Sequence, residues 1–260
     1  MNLKEKLEYH YKTFNFEKIE PDPLQFPHLY KDEKDIEAMA FISSVFAYGT
    51  VAQIVNTLNK IVRIMNNQPH KFIINVGKKN LKAKLGGLKH RFYNENDIRT
   101  FFLALRKVYD RHGSLKKLFL KNYMEEEPNI KSGISAFSKE MLSTALSVNN
   151  LKELSIGLKF MFPLPEKGSA CKRMNLFLRW MVRKDELDFG LWNDVPAGML
   201  IIPVDTHIAK ISLKLKLTSR KVVSWKMAEE ITEELKKYDP ADPVKYDFAL
   251  CHIGMRKLKL

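Results

Sequence analysis

The stretch VAQIVNTLNKIVRIM, Val51–Met65, sets the fold class of this chain. Its apolar residues recur at i, i+3, i+4 and i+7, the spacing of one face of an amphipathic α-helix. The stretch before it, DIEAMAFISSVFAYG (Asp35–Gly49), begins with an acidic residue and ends in glycine, which predicts a buried helix. The residues expected on one face of that helix are Ile36, Ala40, Phe41 and Ser44.

The same helical period continues along the rest of the chain, so we expect an all-α fold of ten or more helices. Two helix starts are predicted from capping residues: Asn150 with Glu153 in a capping box, and Asp242 followed by Pro243 at the first helical position. Alternating strand patterns are scarce. The one weak candidate, KFIINVG, is short and fits a helix equally well.

Two breaks interrupt the helical pattern. The segment Val76–Phe92 is basic and contains glycines, and the segment FPLPEKGSACKR (Phe162–Arg173) is rich in proline and glycine. We therefore predict a helical, barrel-like subdomain over 35–160 and a second helical subdomain over 161–260, with 1–34 packing on the second.

The charge of the chain indicates a polyanionic partner. Its 260 residues carry a formal net charge of +14 and a pI of about 9.6, whereas 45% of the residues are hydrophobic, as in ordinary globular proteins. Clustered Lys and Arg bind the phosphates of nucleic acid through counterion release. A ribosome-associated protein would show the same composition.

The two cysteines, Cys171 and Cys251, are too few for a disulfide framework or for a four-cysteine zinc or iron–sulfur site. No metal or cofactor is expected. The N-terminal stretch is charged throughout, unlike a signal peptide, and no apolar run reaches the roughly 18 residues of a membrane helix. We expect a cytoplasmic, nucleoid-associated monomer that does not enter a membrane.

Lys172 is the first candidate for chemistry. It lies in GSACKRMNLFLRWMVR, at the head of an otherwise apolar helix, where we expect Ser169 as N-cap and Lys172 as the third helical residue. The positive end of the helix dipole, together with Arg173 and Lys167, would favour a neutral, nucleophilic amine. The alternative is a solvated lysine with no chemical role.

Asp205 is the second candidate. In LIIPVDTHIAKISLKLKL an apolar run ends at Pro203-Val204, and a new amphipathic helix follows Asp205, which is a good N-cap. The cap alone explains an aspartate here, but a carboxylate fixed by helix amides also suits proton transfer or stabilisation of a cation. His207 is expected at the helix start, where it could contact phosphate.

Other groupings carry less information. There is no phosphate-binding glycine loop of the Walker or Rossmann type and no nucleophile-elbow serine. The run KKNLKAKLGGLKHR fits a phosphate-contacting loop or a solvated one. Six aromatic residues fit either base stacking or the core: Tyr48, Phe92, Tyr93, Trp180, Trp192 and Trp225.

The order of GSACK, the helix RMNLFLRWMV, and then PVDTHIAKI resembles the helix-hairpin-helix (HhH-GPD) superfamily of base-excision DNA glycosylases. PLPEKGSACKR stands where that superfamily has its hairpin, and Asp205 follows Lys172 by 33 positions. This spacing is most similar to the archaeal 8-oxoguanine DNA glycosylase branch. Together with DIEAMAFISSVFAYG, these motifs also look like a bacterial family of glycosylase-like proteins.

The resemblance implies two helical subdomains with a DNA-binding cleft between them. It implies a bifunctional glycosylase and AP lyase on double-stranded DNA with a damaged base, 8-oxoguanine first, with Lys172 and Asp205 catalytic. The residues it suggests for binding the DNA backbone are Gly168, Ser169, Ala170, Arg173 and His207. Those it suggests for the base pocket are Ser44, Tyr48, Tyr246 and Asp247. The alternative function is a helical, non-catalytic nucleic-acid-binding protein.

Overall fold

The computed structural model describes residues 2–256, and their regular secondary structure is helical, so the expected all-α class is confirmed. Within the described residues the only extended pairings are two isolated bridges, His90–Tyr93 and Lys184–Phe189. No helix in this part of the chain is both long and apolar enough to span a membrane. The α-helices are α1 Leu3–Thr13, α2 Glu33–Phe46, α3 Val51–Ile64, α4 Pro69–Asn75, α5 Lys78–Lys84, α6 Glu95–His112, α7 Leu115–Leu120, α8 Lys131–Val148, α9 Ile156–Met161, α10 Lys172–Val182, α11 Thr206–Lys214, α12 Trp225–Lys236 and α13 Asp247–Arg256.

Local capping explains where several helices begin. Thr50 and Gln53 form a capping box at the start of α3, and Asn94 and Asp97 form another at the start of α6. Helix α6 ends at Gly113, whose φ of 78° is a left-handed conformation that favours glycine. The segment KFIINVG, which fits strand or helix, lies largely in α4.

The predicted helix start at Asn150 is wrong, whereas Asp242 stands at the predicted N-cap position, before Pro243, without the expected cap hydrogen bond. Asn150 has a φ of 49° in the turn that follows α8, so it ends one helix rather than starting the next, and Ser155 caps α9 instead. Asp242 precedes a short 3₁₀ helix, Pro243–Tyr246, and makes no cap hydrogen bond. Its carboxylate instead accepts hydrogen bonds from Arg183, at 2.7 Å and 2.9 Å.

The chain forms two compact units. The terminal unit comprises the described parts of Met1–Glu20, Glu125–Lys131 and Pro165–Leu260. The central unit comprises Pro21–Met124 and Ser132–Leu164. The sequence predicts a division of 35–160 against 161–260 with 1–34, whereas in the structure 21–34 lies in the central unit.

The central unit has an aromatic core. Phe41 of α2, which is fully buried, stacks on Phe162 and packs edge-on against Phe137. Buried Glu37 accepts hydrogen bonds from the backbone N–H groups of Leu115 and Lys116, which compensates the burial of its carboxylate and fixes the start of α7. The core therefore holds α2 in place along its length.

The terminal unit buries the apolar face of α10. Phe177 packs edge-on against Trp192 at 5.1 Å between ring centroids, and Trp180 is fully buried. Helix α13 packs against α11. These contacts fix the starts of α10 and α11, where the two candidate catalytic residues lie.

Candidate active site

Lys172 is the first residue of α10, because the residue before it, Cys171, breaks the helix. Cys171 has a φ of 47° and a ψ of 36°, a left-handed conformation. The expected cap by Ser169 is therefore wrong: its Oγ accepts a hydrogen bond from the Cys171 N–H at 3.2 Å within a turn. Lys172 occupies the N1 position rather than the third helical position.

Asp205 is the N-cap of α11, as the sequence predicts. Its Oδ1 accepts hydrogen bonds from the backbone N–H groups of His207 at 2.8 Å and Ile208 at 2.9 Å. This leaves Oδ2 directed away from the amides, and the helix start fixes the orientation of the whole carboxylate.

The structure brings these two residues together. Lys172 Nζ lies 3.0 Å from Asp205 Oδ2, and the side chains are 33% and 19% exposed. Burial opposes ionisation of Asp205, but the Lys172 ammonium and the two amide donors outweigh it and lower the carboxyl pKa. Asp205 is therefore an anion at neutral pH, with one oxygen fixed by the helix and the other on the amine.

The thiol next to Lys172 is not available as a nucleophile at neutral pH. Burial raises the pKa of Cys171 to about 12, in spite of the opposing effects of Ser169 and Arg173. Thiolate is the reactive form of cysteine. The Cys171 thiol therefore adds no nucleophile beside the Lys172 amine at neutral pH.

The residues expected to bind the DNA backbone differ in accessibility. His207 is exposed, and Gly168 adopts a φ of 82° with open space where a Cβ would stand. However, the Gly168 N–H donates to the Pro165 carbonyl at 2.9 Å, and the Cys171 N–H donates to Ser169. Two amides of the segment expected to hold a phosphate are therefore engaged within the loop.

Ala170 and Arg173 do not fit a backbone contact. Both are 7% exposed, and the Ala170 carbonyl accepts a hydrogen bond from Asn175 Nδ2 at 3.0 Å. The arginine belongs to the buried face of α10, which the motif GSACKR did not reveal because adjacent residues of a helix point in different directions.

Three of the four residues suggested for the base pocket are buried and engaged. Ser44 donates to the Phe41 carbonyl at 2.9 Å, Tyr246 donates to Glu8, and Asp247 accepts from Arg179. These placements do not support a base pocket at Ser44, Tyr246 or Asp247.

Tyr48 is partly exposed in the central unit. It packs against Phe160 at 4.6 Å between ring centroids, and the Arg91 guanidinium lies over its ring at 5.1 Å. Phe92, at 41% exposure, completes this cluster. The other four aromatic residues considered for stacking are core residues: Tyr93, Trp180, Trp192 and Trp225.

A buried ion network on α10 was not predicted. Arg179 contacts Asp188 and Asp247, and Arg183 contacts Asp188 and Asp242 as well as Asp185. Burial opposes the charge of Arg183, but its carboxylates outweigh this and raise its pKa. The signal in the sequence was the pair of arginines four residues apart within RWMVR, followed by two aspartates.

Asp247 connects this network with the candidate site. Its carboxyl is buried on α13, and this burial raises its pKa to about 6, although the nearby Arg179 guanidinium acts to lower it. The charge of Asp205 contributes to this rise in pKa, and the charge of Lys172 opposes it. In the described residues, no three His, Cys, Asp or Glu side chains come together as metal ligands would.

The fold and the site define an all-α protein with a lysine–aspartate ion pair formed by two helix starts. The chain belongs to the DUF2400 family, whose description is "Protein of unknown function", and the match spans residues 22–256. No curated protein and no solved structure matches the chain.

Proposed function

We propose that this protein is a bifunctional DNA glycosylase and AP lyase. It excises an oxidised base, with 8-oxoguanine as the first candidate, through a Schiff base on Lys172. The observation that carries this proposal is the distance of 3.0 Å between Lys172 Nζ and Asp205 Oδ2. An amine nucleophile beside a fixed carboxylate is the pair of groups that the reaction requires.

The first step uses both members of the pair. The Lys172 ammonium gives up a proton to water, and the neutral amine attacks C1′ of the damaged nucleoside, while Asp205 stays a carboxylate beside it. The C1′–N bond breaks, and the base leaves with the electron pair and takes up a proton. Positive charge that develops on the sugar is stabilised by the carboxylate, which the amides of α11 hold in a fixed position.

The second stage yields the nick. The C1′–O4′ bond opens, O4′ gains a proton, and Nζ and C1′ form an imine. Loss of the C2′ proton then breaks the C3′–O bond, and water hydrolyses the imine and returns the lysine. This scheme balances with water as the only co-reactant. The target nucleotide must leave the duplex stack for its C1′ to reach the amine.

The charge and exposure of the pair support this role. Lys172 is the more exposed partner, with 33% of its side chain open to solvent, as a residue that meets a substrate should be. The net charge of +14 supports a nucleic-acid substrate.

Borohydride trapping tests the proposal. The protein is mixed with duplexes that contain 8-oxoguanine, an abasic site or no lesion, and borohydride reduces any imine to a stable amine crosslink. We expect crosslinks to the two damaged duplexes with the wild type and none with Lys172→Gln. Lys226→Gln is the matched control, because it removes an equal charge from an exposed lysine of the terminal unit and keeps the Lys172 amine.

A second variant separates the two steps. Asp205→Asn keeps a good N-cap but removes the carboxylate charge. We expect it to lose crosslinking to the 8-oxoguanine duplex more than to the abasic duplex, where no glycosidic bond remains to be broken. If neither damaged duplex gives a crosslink that depends on Lys172, the lyase chemistry is wrong. Retained duplex binding would then favour a binding protein without chemistry.

A further inference from the structure

The central unit has a groove that the Lys172–Asp205 chemistry does not use. This basic groove has a volume of about 460 Å³. Lys60, Arg63 and Ile64 of α3 form one wall, and the segment 86–89, which follows α5, forms the other.

Local packing directs the cations of the basic groove to solvent. Helix α3 buries Leu58 and Ile61, and Lys60 and Arg63 are exposed and three residues apart, so they are neighbours on the helix surface. On the other wall, Leu88 is 8% exposed and anchors the loop, whereas Lys89 beside it is exposed. The apolar anchors hold the two walls, and the charged side chains project from them.

The charge of the two wall segments has one sign. The residues that line the groove include three cations, Lys60, Arg63 and Lys89, and no Asp or Glu. The carboxylate of Glu95 reaches the loop and accepts a hydrogen bond from the Gly87 N–H at 2.9 Å. Glu95 also pairs with Arg99 at 3.7 Å, which offsets its charge.

The loop leaves open space on the side of Gly87 where a side chain would stand, whereas the Gly87 N–H is held by Glu95. Gly87 has a φ of 75°, which favours glycine, and no atom lies within 4 Å of the place where its Cβ would stand. A phosphate group can therefore approach the loop from the side on which a larger residue would place its side chain.

We infer that the basic groove binds the phosphate backbone of duplex DNA. Exposed cations of one sign on two walls suit a row of phosphates, and such contacts position a protein on DNA without reading its sequence. The inference deepens the proposed function, and the choice of duplex DNA rests on it. The phosphate contact itself is separate from the chemistry, because no residue of the groove belongs to the Lys172 site.

The experiment measures the affinity of the full chain for a labelled, undamaged duplex by fluorescence anisotropy at several salt concentrations. The variant is Lys60→Gln, Arg63→Gln and Lys89→Gln combined. Each phosphate that the variant no longer neutralises lowers the slope of log K against log salt by about 1, so we expect the slope to fall by about 3. When the salt concentration rises from 50 to 200 mM, each phosphate contact lowers the affinity about 3.5-fold. The wild type should therefore lose about 3.5-fold more affinity than the variant for every contact that the variant lacks.

A matched variant controls for net charge. Lys31→Gln, Lys34→Gln and Lys71→Gln together remove the same charge from exposed lysines of the central unit. Two of them flank acidic residues in KDEKD, so they stand in surroundings of mixed charge. We expect this control to keep most of the wild-type salt slope, and circular dichroism checks that both variants fold.

The outcomes separate this inference from the proposed function. If the groove variant binds duplex like the wild type, or loses no more affinity than the control, the inference is wrong, whatever the borohydride result. If it loses affinity only for RNA or for anionic phospholipid vesicles, the duplex assignment is likewise overturned. If the groove variant loses duplex affinity but no Lys172 crosslink forms, the groove stands and the glycosylase proposal fails.

Discussion

Helix α10 carries two kinds of cation–aspartate pair, one at each end. At its start Lys172 meets Asp205 with both side chains partly exposed, at 33% and 19%. Towards its end Arg179 and Arg183 meet Asp188 with every side chain exposed by 3% or less. The same helix thus meets one pair that is partly open to solvent and one that is excluded from it.

The difference in burial separates stability from chemistry. When either the arginine or the carboxylate of a buried pair is removed, the remaining charge is left uncompensated in a medium of low dielectric constant. Such a charge destabilises the fold strongly. A partly exposed pair is screened by water and contributes little to stability. The Lys172–Asp205 pair can therefore be broken at small structural cost.

The largest expected effect breaks the buried pair. Arg183→Met leaves Asp185 and Asp242 without their cation and Asp188 with Arg179 alone, and we expect the free energy of unfolding to fall by about 3–5 kcal/mol. Urea denaturation measures it. Arg183→Lys keeps the charge but loses the forked geometry, so its loss of stability should be smaller. If Arg183→Met lowered the free energy of unfolding by less than about 1 kcal/mol, the buried pair would contribute no more than an exposed pair does, and the distinction would be wrong.

The second effect is a dependence on pH. Burial raises the pKa of Asp247 from 3.8 to about 6, so between these values the folded state binds more protons than the unfolded state. Stability due to this group is therefore greatest at low pH and falls as pH rises from about 4 to 6, by at most about 3 kcal/mol. The difference in unfolding free energy between wild type and Asp247→Asn should fall across this range. A difference that rises with pH would show that folding lowers the pKa of Asp247 instead of raising it.

The third effect tests the cap of α11. Asp205→Ala removes the acceptor of the His207 and Ile208 amides and should cost about 1 kcal/mol in unfolding free energy. Asp205→Asn keeps an acceptor and should cost less. Thermal denaturation of the two variants measures the difference. Equal losses of stability would mean that the charge, rather than the cap, carries the contribution of Asp205.

The smallest expected effect on stability falls on the residue expected to matter most for chemistry. Lys172→Gln removes a partly exposed pair and should change the unfolding free energy by about 0–1 kcal/mol. Urea denaturation beside the trapping assay shows whether the crosslink is lost while the fold is kept. A loss of stability comparable to that of Arg183→Met would make the trapping result uninformative and place Lys172 among the structural residues.

Features that depend on neighbouring residues could be predicted from the sequence. The helices α2 and α3 follow from their apolar period, and the cap by Asp205 follows from a helix that begins directly after it. Errors arose where a residue adopted a left-handed conformation. Asn150 and Cys171 both have positive φ, which asparagine adopts more often than most residues and cysteine does not, so only the first could have been foreseen from the residue type.

Features that depend on packing could not be predicted. The resemblance paired Lys172 with Asp205, but the 3.0 Å between them spans 33 positions and depends on how α10 and α11 pack. The burial of Arg179 and Arg183 was likewise hidden, because the same arginines would be ordinary solvent-exposed residues on a less covered helix.

By itself, the sequence determined the helical class, the positive charge and the cap at Asp205, because periodicity, composition and capping are all local. Only the tertiary structure decided which cations of α10 are buried and which one meets the carboxylate of Asp205. The physical reason is that the energy of a charged pair depends on its distance and on its exclusion from water. Both are set by segments that are remote in the chain and adjacent in the fold.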